Sequence, residues 1–235
     1  MAHASSLNRH AAWPGLTALS AALCIAAGLG AIDASWQFIF KPLTTLMVIA
    51  YAWPRGSDAP TQRRFIRIGL FLSLAGDVFL IWPVQGFLPG LIAFLLSHLA
   101  YIAAFCVPVK FAAKPLVFVA YAALAALILS QLWPGVPGAL RVPVLAYVAC
   151  LATMAAQAAA WWRCRAGTAA SNAAPDAMQA RAAALGGLLF MASDSLLAIN
   201  KFGAPLPLAS LWILATYWAA QWCIASALRP AAKWD

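Results

Sequence analysis

Gly69-Leu-Phe-Leu-Ser-Leu-Ala-Gly-Asp77-Val-Phe-Leu80 and Gly186-Gly-Leu-Leu-Phe-Met-Ala-Ser-Asp194-Ser-Leu-Leu197 decide how this chain is read. Each belongs to an apolar run of membrane-spanning length, and each carries one aspartate well inside that run. A carboxylate at bilayer depth costs about 2.5–3.5 kcal/mol on insertion scales, so intramembrane acids are rare and tied to function. The chain has six acidic residues, all of them Asp. Two of those six lie in apolar helices, and a physical reason for that placement is needed.

The rest of the sequence agrees with a membrane setting. The 235 residues are 65% hydrophobic and 9% charged, with a mean hydropathy of +0.85. Soluble domains are about 45–50% apolar and about 25% charged. Residues 1–235 therefore read as a single transmembrane domain, because no polar stretch is long enough to fold a soluble one. The net charge of +9 does not point to a nucleic-acid partner, since basic residues in short loops serve to orient membrane proteins. The five cysteines (Cys24, Cys106, Cys150, Cys164, Cys223) are scattered and lack CxxC spacing, which makes them packing residues rather than metal ligands or disulfide partners.

A helix needs about 20 apolar residues to cross the hydrocarbon core. Eight runs meet this, at 13–30, 35–53, 65–83, 87–107, 111–132, 141–162, 182–201 and 207–228. They are separated by turn chemistry such as Trp53-Pro54-Arg55-Gly56 and Trp133-Pro134-Gly135. Trp13, Trp36, Trp53, Trp82, Trp133, Trp161 and Trp162 fall at run ends, where an interfacial aromatic belt is expected. The predicted fold is an all-α membrane protein, a bundle of eight transmembrane helices. With an even number of spans, twelve of the fifteen basic residues share the side of the termini; Lys41, Arg141 and Lys201 do not. The asymmetry predicts both termini in the cytoplasm. The first run is expected to be a retained helix rather than a cleaved signal peptide, because no small-x-small cleavage site stands out. The stretch 163–181 reads as a mobile polar loop. The two aspartate segments fall on the third and seventh runs, which cross in the same direction. A parallel four-plus-four repeat follows from that match.

Depth brings the polar residues together. At about 1.5 Å per residue, Lys41 lies roughly 9 Å from one face of the membrane, Asp77 roughly 9 Å and Asp194 roughly 10 Å from the same face. His98 and Tyr101 on the fourth run, and Tyr217 and Gln221 on the eighth, come deeper. Convergence at one level points to one interior cavity. Lys41 can neutralise only one aspartate, so the two acids are expected to share a proton and divide acid and base roles. A buried ion pair that merely fixes helix packing is the bland alternative. Ser73, Ser97, Ser193, Thr44, Thr45 and Thr216 are suited to interhelical hydrogen bonds. One interior histidine cannot assemble an ordinary zinc site, and neither Gly-x-Ser-x-Gly nor HExxH occurs.

Five motifs in order, Lys41-Pro42-Leu-Thr44-Thr45, Ser73-Leu-Ala-Gly76-Asp77, Gly90-Leu-Ile-Ala-Phe94-Leu-Leu-Ser-His98-Leu-Ala-Tyr101, Phe190-Met-Ala-Ser193-Asp194 and Thr216-Tyr217-x-x-Ala-Gln221, resemble the YhhN-like family of integral membrane proteins, which includes lysoplasmalogenases. The resemblance runs from about residue 35 to 228. It implies hydrolysis of the vinyl-ether bond of a lysoplasmalogen, drawn as a lysophospholipid from the bilayer, to a fatty aldehyde and glycerophosphoethanolamine or glycerophosphocholine. It implies no metal and no organic cofactor. A vinyl ether is protonated at carbon and the resulting oxocarbenium ion is captured by water, chemistry suited to paired carboxylates. Asp77 and Asp194 are then the catalytic pair, with Lys41, Ser73, His98, Tyr101, Ser193, Tyr217 and Gln221 lining the site. A small proton-coupled transporter using the same aspartates is the competing reading. The Ala-rich composition suggests a bacterial source, for which the inner membrane is the expected location, with the site toward the periplasmic leaflet.

Overall fold

A computed structural model describes residues 2–166 and 176–230, with side chains from Trp13 onward. Eight α-helices make up the described chain, and no strand occurs among the described residues. They are α1 (Ala2–Gly28), α2 (Gln37–Ala52), α3 (Pro60–Phe79), α4 (Phe87–Cys106), α5 (Pro115–Leu132), α6 (Arg141–Ala166), α7 (Ala177–Phe202) and α8 (Ala209–Ser226). Each predicted run overlaps one α-helix. Among the described residues, four stretches are long and apolar enough to cross a membrane by length and composition, those of α4, α5, α6 and α7.

The ends differ from the apolar runs. Helix α6 continues to Ala166 and α7 begins at Ala177, so much of the predicted 163–181 loop is helical. Apolar runs mark where a span leaves hydrocarbon, whereas Ala-Met-Gln-Ala-Arg181 has high intrinsic helix propensity and keeps coiling beyond it. Residues 167–175 of that loop, and the basic residues Arg9 and Lys233 used for orientation, lie outside the described side chains. Trp161 departs from the expected aromatic belt: it is buried, and its ring N–H donates to Asp176 at 3.4 Å.

Packing follows the same scheme in both halves of the chain. Helix α1 packs on α2, α2 on α3 and α3 on α4; likewise α5 packs on α6, α6 on α7 and α7 on α8. Between halves, α2 packs on α8 and α6 on α4. Glycines permit the closest of these approaches. A Cβ at Gly76 would lie 2.5 Å from the Phe94 ring, and one at Gly187 would lie 2.9 Å from the Ala155 backbone. The space beside Gly76 is therefore filled by an α4 aromatic ring. One pairing breaks the scheme: α1 closes against α8, but α5 makes no comparable contact with α4.

Candidate active site

Asp77 is 1% exposed, near the end of α3. Its Oδ2 accepts from Thr45 Oγ1 of α2 at 2.6 Å and from the Tyr217 hydroxyl of α8 at 2.7 Å. The network extends outward. Trp218 Nε1 donates to Thr45 at 3.1 Å, Gln221 Nε2 to the Tyr217 hydroxyl at 3.2 Å, and the Tyr101 hydroxyl to Gln221 Oε1 at 2.7 Å. Tyr101, Tyr217 and Gln221 are thus brought together with Asp77. Lys41 is buried on α2, one helical turn before Thr45. Among the described residues Lys41 makes no ion pair within 4 Å.

Asp194, on α7, builds a second group. The Tyr147 hydroxyl of α6 donates to its Oδ2, and His98 Nε2 of α4 lies 3.8 Å from the same oxygen and 3.1 Å from the Tyr147 hydroxyl. With the tyrosine proton committed to Asp194, His98 Nε2 is the donor to Tyr147. His98 Nδ1 is then a buried acceptor, and it has no partner. The carboxylates do not hydrogen-bond each other. They meet instead through Phe190, whose ring centroid is 5.6 Å from Tyr217 and 4.6 Å from His98. Phe94 stacks edge-on against both Phe190 and Tyr217. The direct proton-sharing pair expected from the sequence is thus replaced by two tyrosine-bound carboxylates with an aromatic contact between their shells.

The Asp194 group has space beside it. A cavity of about 80 Å³ is lined by Tyr147 and Asp194 among apolar side chains of α4, α5, α6 and α7, including Leu91, Phe94, Ile128 and Met191. It occupies the place where α5 fails to close on α4. The Asp194 side chain is 13% exposed, whereas Asp77 does not line the cavity. Ser73 bonds Ser97 of α4 at 2.8 Å beside the Tyr101 hydroxyl, and Ser193 donates to the Ile213 carbonyl of α8 at 2.9 Å. Both hold helices together.

Tyr147 is not among the residues that the sequence singles out, whose tyrosines come from the fourth and eighth runs alone. It lies six residues into α6, roughly 9 Å down at 1.5 Å per residue, the level already assigned to Asp194. A depth count extended to the sixth run finds it.

The YhhN family model matches residues 36–228, which includes every residue of both carboxylate groups. The chain belongs to the YhhN family. Among curated family relatives, the bovine protein named lysoplasmalogenase TMEM86A is 37% identical over 162 residues, covering 68% of this chain and 63% of the relative. The human lysoplasmalogenase TMEM86B is 35% identical over 205 residues, 86% of this chain and 80% of the relative. An Escherichia coli relative named as an uncharacterized membrane protein YhhN is 39% identical over 87 residues, 34% of this chain and 40% of its own. The match to the TMEM86A relatives thus spans a little under two thirds of their length. No solved structure matches the chain.

Proposed function

We propose that this YhhN-family protein is a membrane hydrolase that cleaves the vinyl-ether bond of a lysoplasmalogen, with Asp194 at the reacting atoms. The observation that carries the reading is the single carboxylate, backed by a tyrosine, in the wall of an apolar cavity on the unclosed side of α4 and α5. A lipid chain suits such a cavity, since mostly apolar linings with a few placed polar groups are what ligand sites use. The two lysoplasmalogenase names among the relatives support the same bond type. The eight helices are taken as eight spans with both termini cytoplasmic, so the alkenyl chain reaches the cavity sideways from the bilayer.

In this mechanism Asp194 starts as the carboxylic acid. It transfers its proton to the vinyl carbon distal to the ether oxygen, and the adjacent carbon becomes an oxocarbenium ion. The Asp194 carboxylate stabilises that charge and takes a proton from the attacking water. The resulting hemiacetal collapses to aldehyde and the free glycerol hydroxyl, and Asp194 is again an acid. Tyr147 and His98 hold the carboxyl in place. Asp77 is a positioning residue: it fixes Tyr217, which packs on Phe94 in the cavity wall.

The test is aldehyde release from lysoplasmenylethanolamine by the purified protein in detergent. Turnover by the wild type, lost in Asp194→Asn, supports the reading. No turnover combined with proton-coupled uptake in proteoliposomes replaces it with transport.

A further inference from the structure

The cavity runs past Asp194 along one face of α7. Met191, Asp194, Ala198 and Phe202 line it, a helical stripe in steps of three and four residues. Lys201 lies seven residues after Asp194, in the last turn of α7, and continues the same stripe. It is exposed, and its Nζ sits 4.1 Å from the centroid of the Phe87 ring. Phe87 opens α4 and lines the cavity, with its ring edge-on to Phe202 at 5.8 Å between centroids. An ammonium group therefore stands at the rim of the cavity whose wall holds Asp194.

That ammonium is held in place with donors to spare. It donates to the Pro83 carbonyl of the α3–α4 connection at 3.3 Å, which leaves two of its three hydrogens. Among the described residues no carboxylate lies within 4 Å of it. The backbone around it is fixed: Gly203 N donates to the Ile199 carbonyl at 2.8 Å, and Leu206 N to Asn200 Oδ1 at 3.0 Å. Of the other two basic residues placed away from the termini, Lys41 is buried. Arg141 stands over the Trp133 ring, 5.3 Å from its centroid, and Trp133 does not line the cavity.

Spacing links Asp194 and Lys201 to one molecule. Seven residues of α-helix rise roughly 10 Å at 1.5 Å per residue. In a lysophospholipid with a vinyl ether on its glycerol, seven bonds separate the vinyl carbon that accepts the proton from phosphorus. Extended, they span roughly 9 Å, scaling from about 3.8 Å per three backbone bonds. A lipid with its vinyl ether at Asp194 and its chain among the apolar residues then carries its phosphate to the rim. There an ammonium with unused hydrogens pairs with it by charge-assisted hydrogen bonds.

We infer that Lys201 binds the headgroup phosphate of the lysophospholipid whose chain occupies the cavity, and so sets the vinyl ether level with Asp194. The identity of the lipid rests on the proposed reaction. The choice of residue rests on the α7 spacing and the Lys201–Phe87 contact.

The experiment measures binding apart from turnover. The probe is tritiated 1-O-alkyl lysophosphatidylethanolamine, a saturated ether with no double bond to protonate, offered to the immobilised full chain in maltoside micelles. The wild type should bind it about tenfold more tightly than 1-O-alkylglycerol, which has the chain without the phosphate, as one charge-assisted hydrogen bond provides. Lys201→Met should remove this difference, weakening the phospholipid and leaving the alkylglycerol unchanged. Arg141→Met, a charge lost at the same end of the bundle, should bind as the wild type does. Equal amounts of glycerophosphoethanolamine, which has the phosphate without the chain, should not compete. The inference is overturned if the wild type binds both lipids alike or binds neither. It is overturned too if Lys201→Met weakens both together, as a purely structural lysine would, or if Arg141→Met loses as much. Competition by glycerophosphoethanolamine also overturns it, by assigning the ammonium to a soluble phosphodiester. The hydrolase reading fails on a different outcome: lysoplasmenylethanolamine bound through Lys201 but released intact.

Discussion

Asp77 and Asp194 are held by the same pattern of helices. Asp77 on α3 takes a donor from α2 of its own half, Thr45, and one from α8 of the other half, Tyr217. Asp194 on α7 takes a donor from α6 of its own half, Tyr147, and faces His98 from α4 of the other half. Under a four-plus-four correspondence, α3 matches α7, α2 matches α6 and α4 matches α8, so each partner has its counterpart. The two environments differ at one joint. Helix α1 closes on α8, whereas the matching α5 leaves α4 uncovered, and the cavity sits there beside Asp194.

Tyr147 orients the carboxyl proposed to react. Removing one preorganised donor from an active site lowers turnover by about 10²–10³-fold. Tyr147→Phe should lose aldehyde release on about that scale, with a thermal midpoint close to wild type. Steady-state rates and a melting curve on the same preparation check this.

Asp77 differs in kind. A hydrogen bond to a charged group contributes about 1.5–3 kcal/mol, and Asp77 accepts two. Thr45→Val and Tyr217→Phe should each destabilise the fold by about that amount. Because both donate to one oxygen, their effects should couple rather than add. Denaturation of the two single variants and the double variant measures the coupling.

The gap between α4 and α5 is the proposed lipid passage. Leu91 on α4 and Ile128 on α5 both line the cavity. Leu91→Trp and Ile128→Trp should each fill part of the gap and strongly lower turnover while the protein stays folded, as a melting curve on the same preparation checks. Turnover at the wild-type rate by both folded variants rejects this route.

Gly69 tests the packing. A Cβ there would enter the Tyr101 ring space, and overpacking of this kind costs about 1–3 kcal/mol. Gly69→Ala should lower the melting temperature and disturb the Tyr101–Gln221 bond. Gly15 has open space around it, and Gly15→Ala serves as the control.

Polar side chains in apolar runs are conspicuous, which is why Asp77, Asp194, His98, Tyr101, Tyr217 and Gln221 were legible before any fold was known. Depth counting then grouped them. Phe94 and Phe190 were not legible, because in a membrane sequence a phenylalanine that walls a site looks like one that faces lipid. The α4–α5 gap depends on tertiary packing between distant segments, and no local pattern encodes it. Gln62 and Gln179 sit among loop-end charges that orientation already explains, so nothing in the sequence marks their buried, unpartnered amide atoms.

The central claim is that an acid at Asp194 protonates a vinyl carbon. Turnover of lysoplasmenylethanolamine in D₂O, with the aldehyde trapped at once as its oxime, reads this directly by mass spectrometry. The account predicts one deuterium on the carbon next to the aldehyde carbon, formed by the wild type and absent with Asp194→Asn. Aldehyde released without that deuterium, or labelled aldehyde formed at the wild-type rate by folded Asp194→Asn, would contradict it.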